Sequence, residues 1–291
     1  WRGHDLRDEL WSARVLVEQP EAIAQVHFDY YCAGADVAIT ATYQATPQGF
    51  ARKGIHPWAV ERLFHLAVRL ADDARQACRR HLPKGEKRDL VVAASIGPYG
   101  AYLADGSEYR GGYGLSKQQL MDFHRPRMEL LCRARPDCLA LETIPDATEV
   151  AALLALLDEH PGMEAWLSFS TRDESSLADG TPIEAVTELA AAHPSVVAVG
   201  VNCLPPHRAL PLLRRMHRVT DLPLVVYPNS GEVWDAAQRC WCAPAREVDF
   251  GALAAEWYAA GARLIGGCCR TRPADVASIR RALRELVEKD G

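Results

Sequence analysis

The sequence predicts an α/β fold, specifically a (β/α)8 TIM barrel, from three observations. Helical patterns and short apolar segments alternate along the chain, which is typical of parallel strands joined by helices. Seven of these segments are continuously apolar, as expected for strands that are covered on both faces. The length of 291 residues lies in the usual range for eight βα units. An open, doubly wound sheet is the alternative, but no glycine-rich phosphate fingerprint follows the first strands.

The predicted elements follow one another in a regular order. Apolar residues at helical spacing predict helices, and the helix that ends at Gly34 stops on a residue suited to that position. The last helix has Thr271 as a candidate N-cap and Pro273 in its first turn. The predicted helices cover residues 10–16, 20–34, 57–80, 117–133, 147–159, 182–193, 206–218, 250–260 and a final segment from 271 onward. The predicted strands cover residues 36–40, 90–96, 138–142, 165–170, 196–203, 222–227 and 263–267.

An eighth strand is needed to complete the barrel. Because the helical pattern begins directly after Trp1, we expect this strand to belong upstream of that residue. The sequence therefore predicts a single barrel domain over residues 1–291 that lacks its N-terminal strand.

Composition limits the classes of function. The chain has 33 basic and 38 acidic residues, a formal net charge of −5, and no basic block, so we expect no nucleic-acid partner. No apolar run approaches the roughly 20 residues needed to span a bilayer, so we expect no membrane partner. Nine cysteines without a secretory leader favour a reducing compartment, and we expect the cytoplasm. These features favour small-molecule substrates and do not indicate an oligomeric state.

Two adjacent cysteines near the end of the chain predict a metal site. Cys268 and Cys269 follow a predicted strand and two glycines, where the backbone can bend so that both thiols face one centre. Cys203 ends another predicted strand, and in a barrel all strand ends of this kind lie on one rim. Three thiolates with an open fourth position are the ligands of a catalytic zinc. The alternative is that these cysteines are small buried apolar residues.

Polar residues follow the other predicted strands on the same rim. Glu142 stands out because a carboxylate after an apolar strand must be paired or functional, and a substrate ammonium group would be a suitable partner. The alternative is an ion pair with a rim arginine or lysine. The candidate substrate-binding residues are Thr40, Ser95, Glu142, Thr143, Asn202, Tyr227 and Asn229.

The segment 97–113 is too long and too aromatic for a simple connection. Its four tyrosines could line a pocket for a cation such as a sulfonium, or they could pack the segment onto the barrel. We interpret Cys32, Cys78, Cys132 and Cys138 as core residues. Cys240 and Cys242 are interpreted as surface thiols or packing residues, not as a second metal site.

Three motifs lie at the ends of predicted strands: Val201-Asn202-Cys203, Gly266-Gly267-Cys268-Cys269-Arg270 and residues 227–232. Together they give the chain a resemblance to the homocysteine S-methyltransferase family. The segments 40–46, 95–100, 105–109 and 141–145 extend it over almost the whole chain, beginning after the family's first strand with its Asp-Gly and Thr-Glu-Leu elements. It is closest to the branch that uses S-methylmethionine or S-adenosylmethionine.

The resemblance implies a (β/α)8 barrel and a zinc ion held by Cys203, Cys268 and Cys269. It also implies that the protein transfers a methyl group from a sulfonium donor to the thiol of L-homocysteine, giving methionine. Alternatives are a methyltransferase that uses betaine or selenohomocysteine, and a zinc hydrolase on the same barrel. A third class is a protein whose cysteine cluster only stores metal or senses redox state.

Overall fold

The computed structural model describes residues 12–235, 240–242 and 248–290. These residues form a parallel sheet surrounded by helices. The helices are α1 (Ser12–Glu18), α2 (Pro20–Ala33), α3 (Pro47–Arg52), α4 (Pro57–His81), α5 (Tyr99–Leu103), α6 (Lys117–Ala134), α7 (Ala147–Leu157), α8 (Ile183–Ala191), α9 (Ala209–Met216), α10 (Phe250–Ala259) and α11 (Pro273–Asp290). The strands are β1 (Val37–Ile39), β2 (Val91–Ile96), β3 (Cys138–Ile144), β4 (Ala165–Phe169), β5 (Val196–Asn202), β6 (Leu224–Tyr227), β7 (Val233–Asp235), β8 (Cys240–Cys242) and β9 (Ala262–Ile265). Single 3-10 turns lie at Ser107–Tyr109 and Pro206–Arg208.

The strand order distinguishes between the two predicted architectures. The main sheet runs β1-β2-β3-β4-β5-β6-β9, entirely parallel, in the order of the chain. A doubly wound sheet reverses its order at a switch point, and this sheet does not. Because parallel crossovers are right-handed, an unreversed order places the connecting helices on one face and lets the sheet curl on itself. The fold is therefore a curled, TIM-barrel-like α/β fold.

Side chains on the inner face of the curled sheet form a core of their own. Trp166 of β4 fills much of this space, and it is surrounded by small side chains, Ala93 of β2, Ala140 of β3 and Ala198 of β5. Val225 and Tyr227 of β6 and Leu264 of β9 complete the inner core. A large residue among small ones is how the interior of a barrel of this size is filled. The larger core lies between the outer face of the sheet and the helices.

Two helices contact each other next to the two edge strands of the sheet. Within the described residues, β1 and β9 are the edges of the sheet, and α2 and α11 lie against each other beside them. The Tyr30 hydroxyl donates to the carbonyl of Thr271 at 2.7 Å. Arg280 of α11 donates to the carbonyl of Gly34 at 3.0 Å and to the Asp36 carboxylate at 2.7 Å. These side chains form what we call the seam of the molecule.

Some local features differ from the sequence-based expectations. β7 and β8 pair as an antiparallel hairpin where the sequence predicts a loop. The side chains of Cys240 and Cys242 lie outside the described residues, so their interpretation stays a prediction. Cys78 is buried, but Cys32 is exposed, and its assignment to the core was wrong because its side chain lies beside Cys78 at the edge of the contact between α2 and α4. Among the described residues, no helix is both long and apolar enough to cross a membrane.

Candidate active site

Three cysteines meet at the ends of β5 and β9. The Sγ atoms of Cys203, Cys268 and Cys269 lie within 4.8 Å of one another, and those of Cys203 and Cys269 are 3.6 Å apart. We call these residues the cysteine cluster. Tetrahedral zinc with bonds of about 2.3 Å to sulfur separates its sulfur ligands by about 3.8 Å. The donor set therefore fits such an ion and leaves the fourth position for another ligand.

Backbone geometry directs these thiols to one point. Cys203 has a φ of 55°, a left-handed conformation, and its N–H donates to the carbonyl of Tyr227 at 3.1 Å. Cys268 N–H donates to the carbonyl of Pro228 at 2.8 Å, so both segments are fixed to the chain that follows β6. Gly267 is required for space and not for a positive φ, because a Cβ there would lie 2.4 Å from the Thr271 Oγ1 atom. The predicted bend is present.

The three thiols differ in acidity. Hydrogen bonds from the Cys268 and Cys269 side chains hold the pKa of Cys203 well below its ordinary value, and Tyr109 and Asn229 contribute to this effect. Hydrogen bonding to Cys203 raises the pKa values of both Cys268 and Cys269. Hydrogen bonding within the cluster thus favours a thiolate at this site, which suits the binding of a cation.

A layer of polar side chains lies on the inner face of the sheet, on the rim side of the inner core. Ser95, Glu142, Ser168 and Tyr227 each lie two residues after a member of that core, so they share its face. Ser95 donates to Glu142 Oε1, and the Tyr227 hydroxyl donates to Glu142 Oε2 at 3.0 Å. The Tyr227 hydroxyl also contacts Ser168 Oγ at 2.6 Å. The layer converges on the Glu142 carboxylate.

Burial controls the charge of Glu142. Desolvation raises the pKa of its carboxyl to about 7, although hydrogen bonds from Ser95 and Tyr227 oppose this rise. No lysine, arginine or histidine of the described chain forms an ion pair with this carboxylate, so the ion-pair alternative has no support there. Glu142 remains available to a cationic ligand.

Asn202 and Thr143 form a clamp across the rim. The Thr143 N–H donates to Asn202 Oδ1 at 2.9 Å, and Asn202 Nδ2 donates to Thr143 Oγ1 at 2.8 Å. Thr143 has a φ of 63°, which is strained for a β-branched residue and coincides with a register shift in β3. The clamp passes over β4 and joins the residue after Glu142 to the residue before Cys203. Strain of this kind persists only where the surrounding structure fixes it.

The remaining predicted residues have separate roles in the structure. Thr40 Oγ1 contacts Thr42 Oγ1 at 2.7 Å and accepts from the Ser95 N–H at 3.1 Å, so it fixes the end of β2. Asn229 lies beside Cys203, and its Oδ1 atom is buried without a hydrogen-bond partner among the described residues. This acceptor is free for a ligand.

Three of the four tyrosines of segment 97–113 pack it onto the barrel. Tyr99, Tyr102 and Tyr113 form edge and tilted ring contacts with one another or with Phe123 of α6, at centroid distances of 4.9 to 5.8 Å. Tyr109 differs, because its hydroxyl lies 3.2 Å from Cys203 Sγ. The packing interpretation thus holds for Tyr99, Tyr102 and Tyr113, whereas the cation pocket stays a prediction for which Tyr109 is the candidate.

A model of the homocysteine S-methyltransferase family matches residues 2–283. The chain belongs to this family. It is 50% identical to the homocysteine S-methyltransferase of Escherichia coli, over 96% of this chain and 90% of that relative. It is 46% identical to YbgG of Bacillus subtilis, a homocysteine S-methyltransferase, over 98% and 91% of the two chains.

A solved structure supports the same assignment. The metallated form of the homocysteine methyltransferase MmuM from Escherichia coli superposes with a TM-score of 0.86 at 48% identity, covering 96% of this chain and 91% of that one. The predictions of the family and of an enzyme are therefore confirmed.

The sequence did not single out several residues that the structure brings to the site. Trp166 hydrogen-bonds to the Tyr227 hydroxyl, as does Ser168, which the sequence does place among the polar rim residues; spacing along β4 with period two could have placed Trp166 on the same inner face. His124, Arg127 and Glu149 form a buried polar network beneath segment 97–113. The signal for this network was polar residues at positions of α6 and α7 that point to the core.

Proposed function

We propose that this enzyme transfers a methyl group from S-methylmethionine or S-adenosylmethionine to the thiol of L-homocysteine, giving methionine. The observation that carries this proposal is the cysteine cluster, whose three sulfurs would leave a tetrahedral metal one further position, near a buried carboxylate that has no ion-pair partner among the described residues. The family favours methyl transfer over hydrolysis. Three sulfur ligands also make a metal a weaker Lewis acid than the ligands usual in hydrolases.

We propose zinc as the ion. Three thiolates are a zinc donor set, and the sulfur separations fit tetrahedral bonds. A zinc ion there would hold the substrate thiol as a thiolate at neutral pH, where a free thiol of pKa about 8.5 is mostly protonated. The chain's part is to present the three sulfurs in fixed positions, through the backbone contacts of Cys203 and Cys268.

We assign recognition of the homocysteine amino group to Glu142. Its carboxylate would accept hydrogen bonds from the ammonium group, with Ser95 and Tyr227 keeping both oxygens oriented. Asn229 would bind the substrate through its unpartnered Oδ1 atom. Thr40, Thr143 and Asn202 would shape the pocket, because their hydrogen bonds are made within the protein.

The reaction balances without a general acid. The substrate thiolate attacks the methyl carbon, a new S–C bond forms, and the C–S bond of the sulfonium breaks with its electron pair remaining on sulfur. The leaving group is a neutral thioether, so no proton has to be supplied. The task of the protein is therefore to align donor and acceptor and to exclude water.

We propose that residues 1–291 form a single domain with the (β/α)8 barrel fold that lacks its N-terminal strand. One strand between β1 and β9 would close the sheet, and the seam between α2 and α11 supports closure because it already joins the helices on either side. We also keep the cytoplasm as the proposed compartment.

A donor panel tests the function. Purified enzyme loaded with Zn²⁺ is given homocysteine with S-methylmethionine, S-adenosylmethionine or betaine, and methionine is quantified by mass spectrometry with a deuterated methyl label. We expect labelled methionine from at least one sulfonium donor and none from betaine. Product from betaine alone would contradict the proposed donor class, and no product from any donor would contradict the proposed reaction.

A further inference from the structure

Methyl transfer as derived above does not use the buried network of His124, Arg127 and Glu149. His124 and Arg127 lie on α6 and Glu149 on α7, and all three are almost completely inaccessible to solvent. Arg127 Nε–H donates to His124 Nδ1 at 3.1 Å, and His124 Nε2–H donates to Glu149 Oε1 at 2.7 Å. This chain of bonds fixes a single neutral tautomer of the histidine.

The charge states agree with this direction of bonding. Burial, with the Arg127 guanidinium beside it, lowers the pKa of His124 well below its ordinary value, so the imidazole stays neutral. A protonated ring would turn a second N–H toward the arginine. The network is therefore a neutral histidine that links a buried guanidinium to a buried carboxyl group.

The outer atoms of the network hold the beginning of segment 97–113. Arg127 Nη2 donates to the carbonyl of Gly97, and Glu149 Oε1 accepts the N–H of Tyr99 at 2.6 Å. The network therefore fixes two backbone positions of the segment, next to the end of β2. Farther along, the Tyr109 hydroxyl lies 3.2 Å from Cys203 Sγ.

We propose that the His124 network is a positioning device that holds segment 97–113 so that Tyr109 donates a hydrogen bond to the Cys203 sulfur. This inference rests on the proposed function, because it assigns residues that tune the metal site. A hydrogen bond to a ligand sulfur fixes the orientation of the ligand and its electron density, and partners of this kind strongly affect metal affinity. His124, Arg127 and Glu149 are positioning residues, since they act through Tyr109.

The argument for positioning rests on buried polarity. A buried guanidinium, imidazole and carboxyl group are costly to desolvate, and apolar side chains would pack α6 against α7 without this penalty. Polar groups that bond to the backbone of one segment specify the position of that segment, whereas apolar contacts allow sliding. The ring contacts of Tyr99 with Phe123 and Tyr113 add apolar packing, but they do not fix the position of the backbone as hydrogen bonds do.

A double-mutant cycle between Tyr109→Phe and His124→Gln tests the proposal. Zn²⁺ affinity is measured by competition with a chromophoric chelator, in the absence of substrates. We expect each single variant to weaken Zn²⁺ binding by about tenfold. The double variant should have the same Zn²⁺ affinity as the single variant that binds less tightly. Leu131→Val is the matched control, because Leu131 is a fully buried residue of α6 outside the network. It should lower the melting temperature while leaving Zn²⁺ affinity unchanged.

Two results would overturn the inference. The first is independent effects, in which the two losses of affinity multiply in the double variant. The second is unchanged Zn²⁺ affinity in either single variant. If His124→Gln does not fold, Arg127→Lys serves in its place, because it keeps the cation and removes the Nε–H that His124 accepts. This experiment measures Zn²⁺ affinity and no turnover. A negative result would overturn the positioning role and would not bear on methionine formation by the wild type. A wild type that makes no methionine would instead overturn the proposed function alone.

Discussion

Replacing Glu142 with glutamine is expected to weaken homocysteine binding while leaving the metal content unchanged. The substitution keeps the shape of the side chain and removes the charge that pairs with the substrate ammonium group. A charge-assisted hydrogen bond of this kind is worth about 1.5 to 3 kcal/mol, which corresponds to roughly a ten- to hundredfold rise in KM. Glu142 forms no bond to the cysteine cluster, so zinc retention should not change.

The same carboxyl group predicts a pH dependence. Burial raises its pKa from 4.5 to about 7, a difference worth roughly 3 kcal/mol. Below pH 7 the group is protonated and cannot pair with an ammonium ion, so wild-type affinity for homocysteine should rise between pH 6 and 8. The glutamine variant should lack this part of the pH profile. Other titrating groups, including the substrate thiol, affect both proteins equally and cancel in the comparison.

The free energy of unfolding of the substrate-free protein should fall as the pH rises, whereas homocysteine affinity rises. An acid whose pKa is raised by folding binds more protons in the folded state, so its contribution to stability is present below pH 4.5 and is lost as the pH rises to 7. At pH 8, without substrate, the glutamine variant should therefore be more stable than wild type, by up to roughly 3 kcal/mol.

Titration calorimetry and thermal unfolding at pH 5 and pH 8 measure both effects. Glu129→Gln, at a half-exposed position on α6, is the control and should change neither quantity. Unaltered homocysteine affinity in Glu142→Gln, or identical pH profiles of the two proteins, would refute the assignment of Glu142 to the amino group.

Three further predictions follow from the geometry of the rim and the sheet. Alanine at any position of the cysteine cluster should abolish zinc retention, measured by atomic emission, with an unchanged far-UV circular dichroism spectrum, whereas alanine at the exposed cysteine of α2 should retain zinc. Asn202→Ala should lower stability by about 1 to 3 kcal/mol in denaturant titrations, because it leaves the buried Thr143 N–H and hydroxyl without their partners. Adding Thr143→Gly should restore part of the loss, because glycine adopts the positive φ without strain. Gly200→Ala should prevent folding, since its Cβ would lie 1.8 Å from the Val225 carbonyl oxygen, whereas Gly266→Ala, with no contact under 3.7 Å, should yield folded protein.

The sequence predicts the main sheet because the strands have an unambiguous pattern. Continuous apolar runs between helices predict the seven parallel strands, and each lies within a few residues of its predicted place. The hairpin of β7 and β8 was missed because each strand has only three residues, too few to show a strand pattern. Strands this short depend on pairing with each other more than on their own composition.

The site was predictable where residue type and strand position agree. Cys203 and Glu142 both follow apolar strands, and a barrel brings such strand ends together. Tyr109 could not be distinguished from Tyr99 by sequence, because the difference is which ring faces the cysteine cluster, and this depends on the packing of the whole segment. The clamp of Asn202 and Thr143 was also not predictable, because it depends on a bulge in β3.

The seam has a mechanical consequence. Backbone ladders hold neighbouring strands of the sheet together, whereas the contacts described between α2 and α11 are side-chain bonds from Tyr30 and Arg280. A load applied across α2 and α11 would act on a few such bonds in parallel, and one of them is an ion pair that salt weakens. We therefore expect a molecule pulled apart at these helices to yield first at the seam, at a force that falls with ionic strength, before any strand separates.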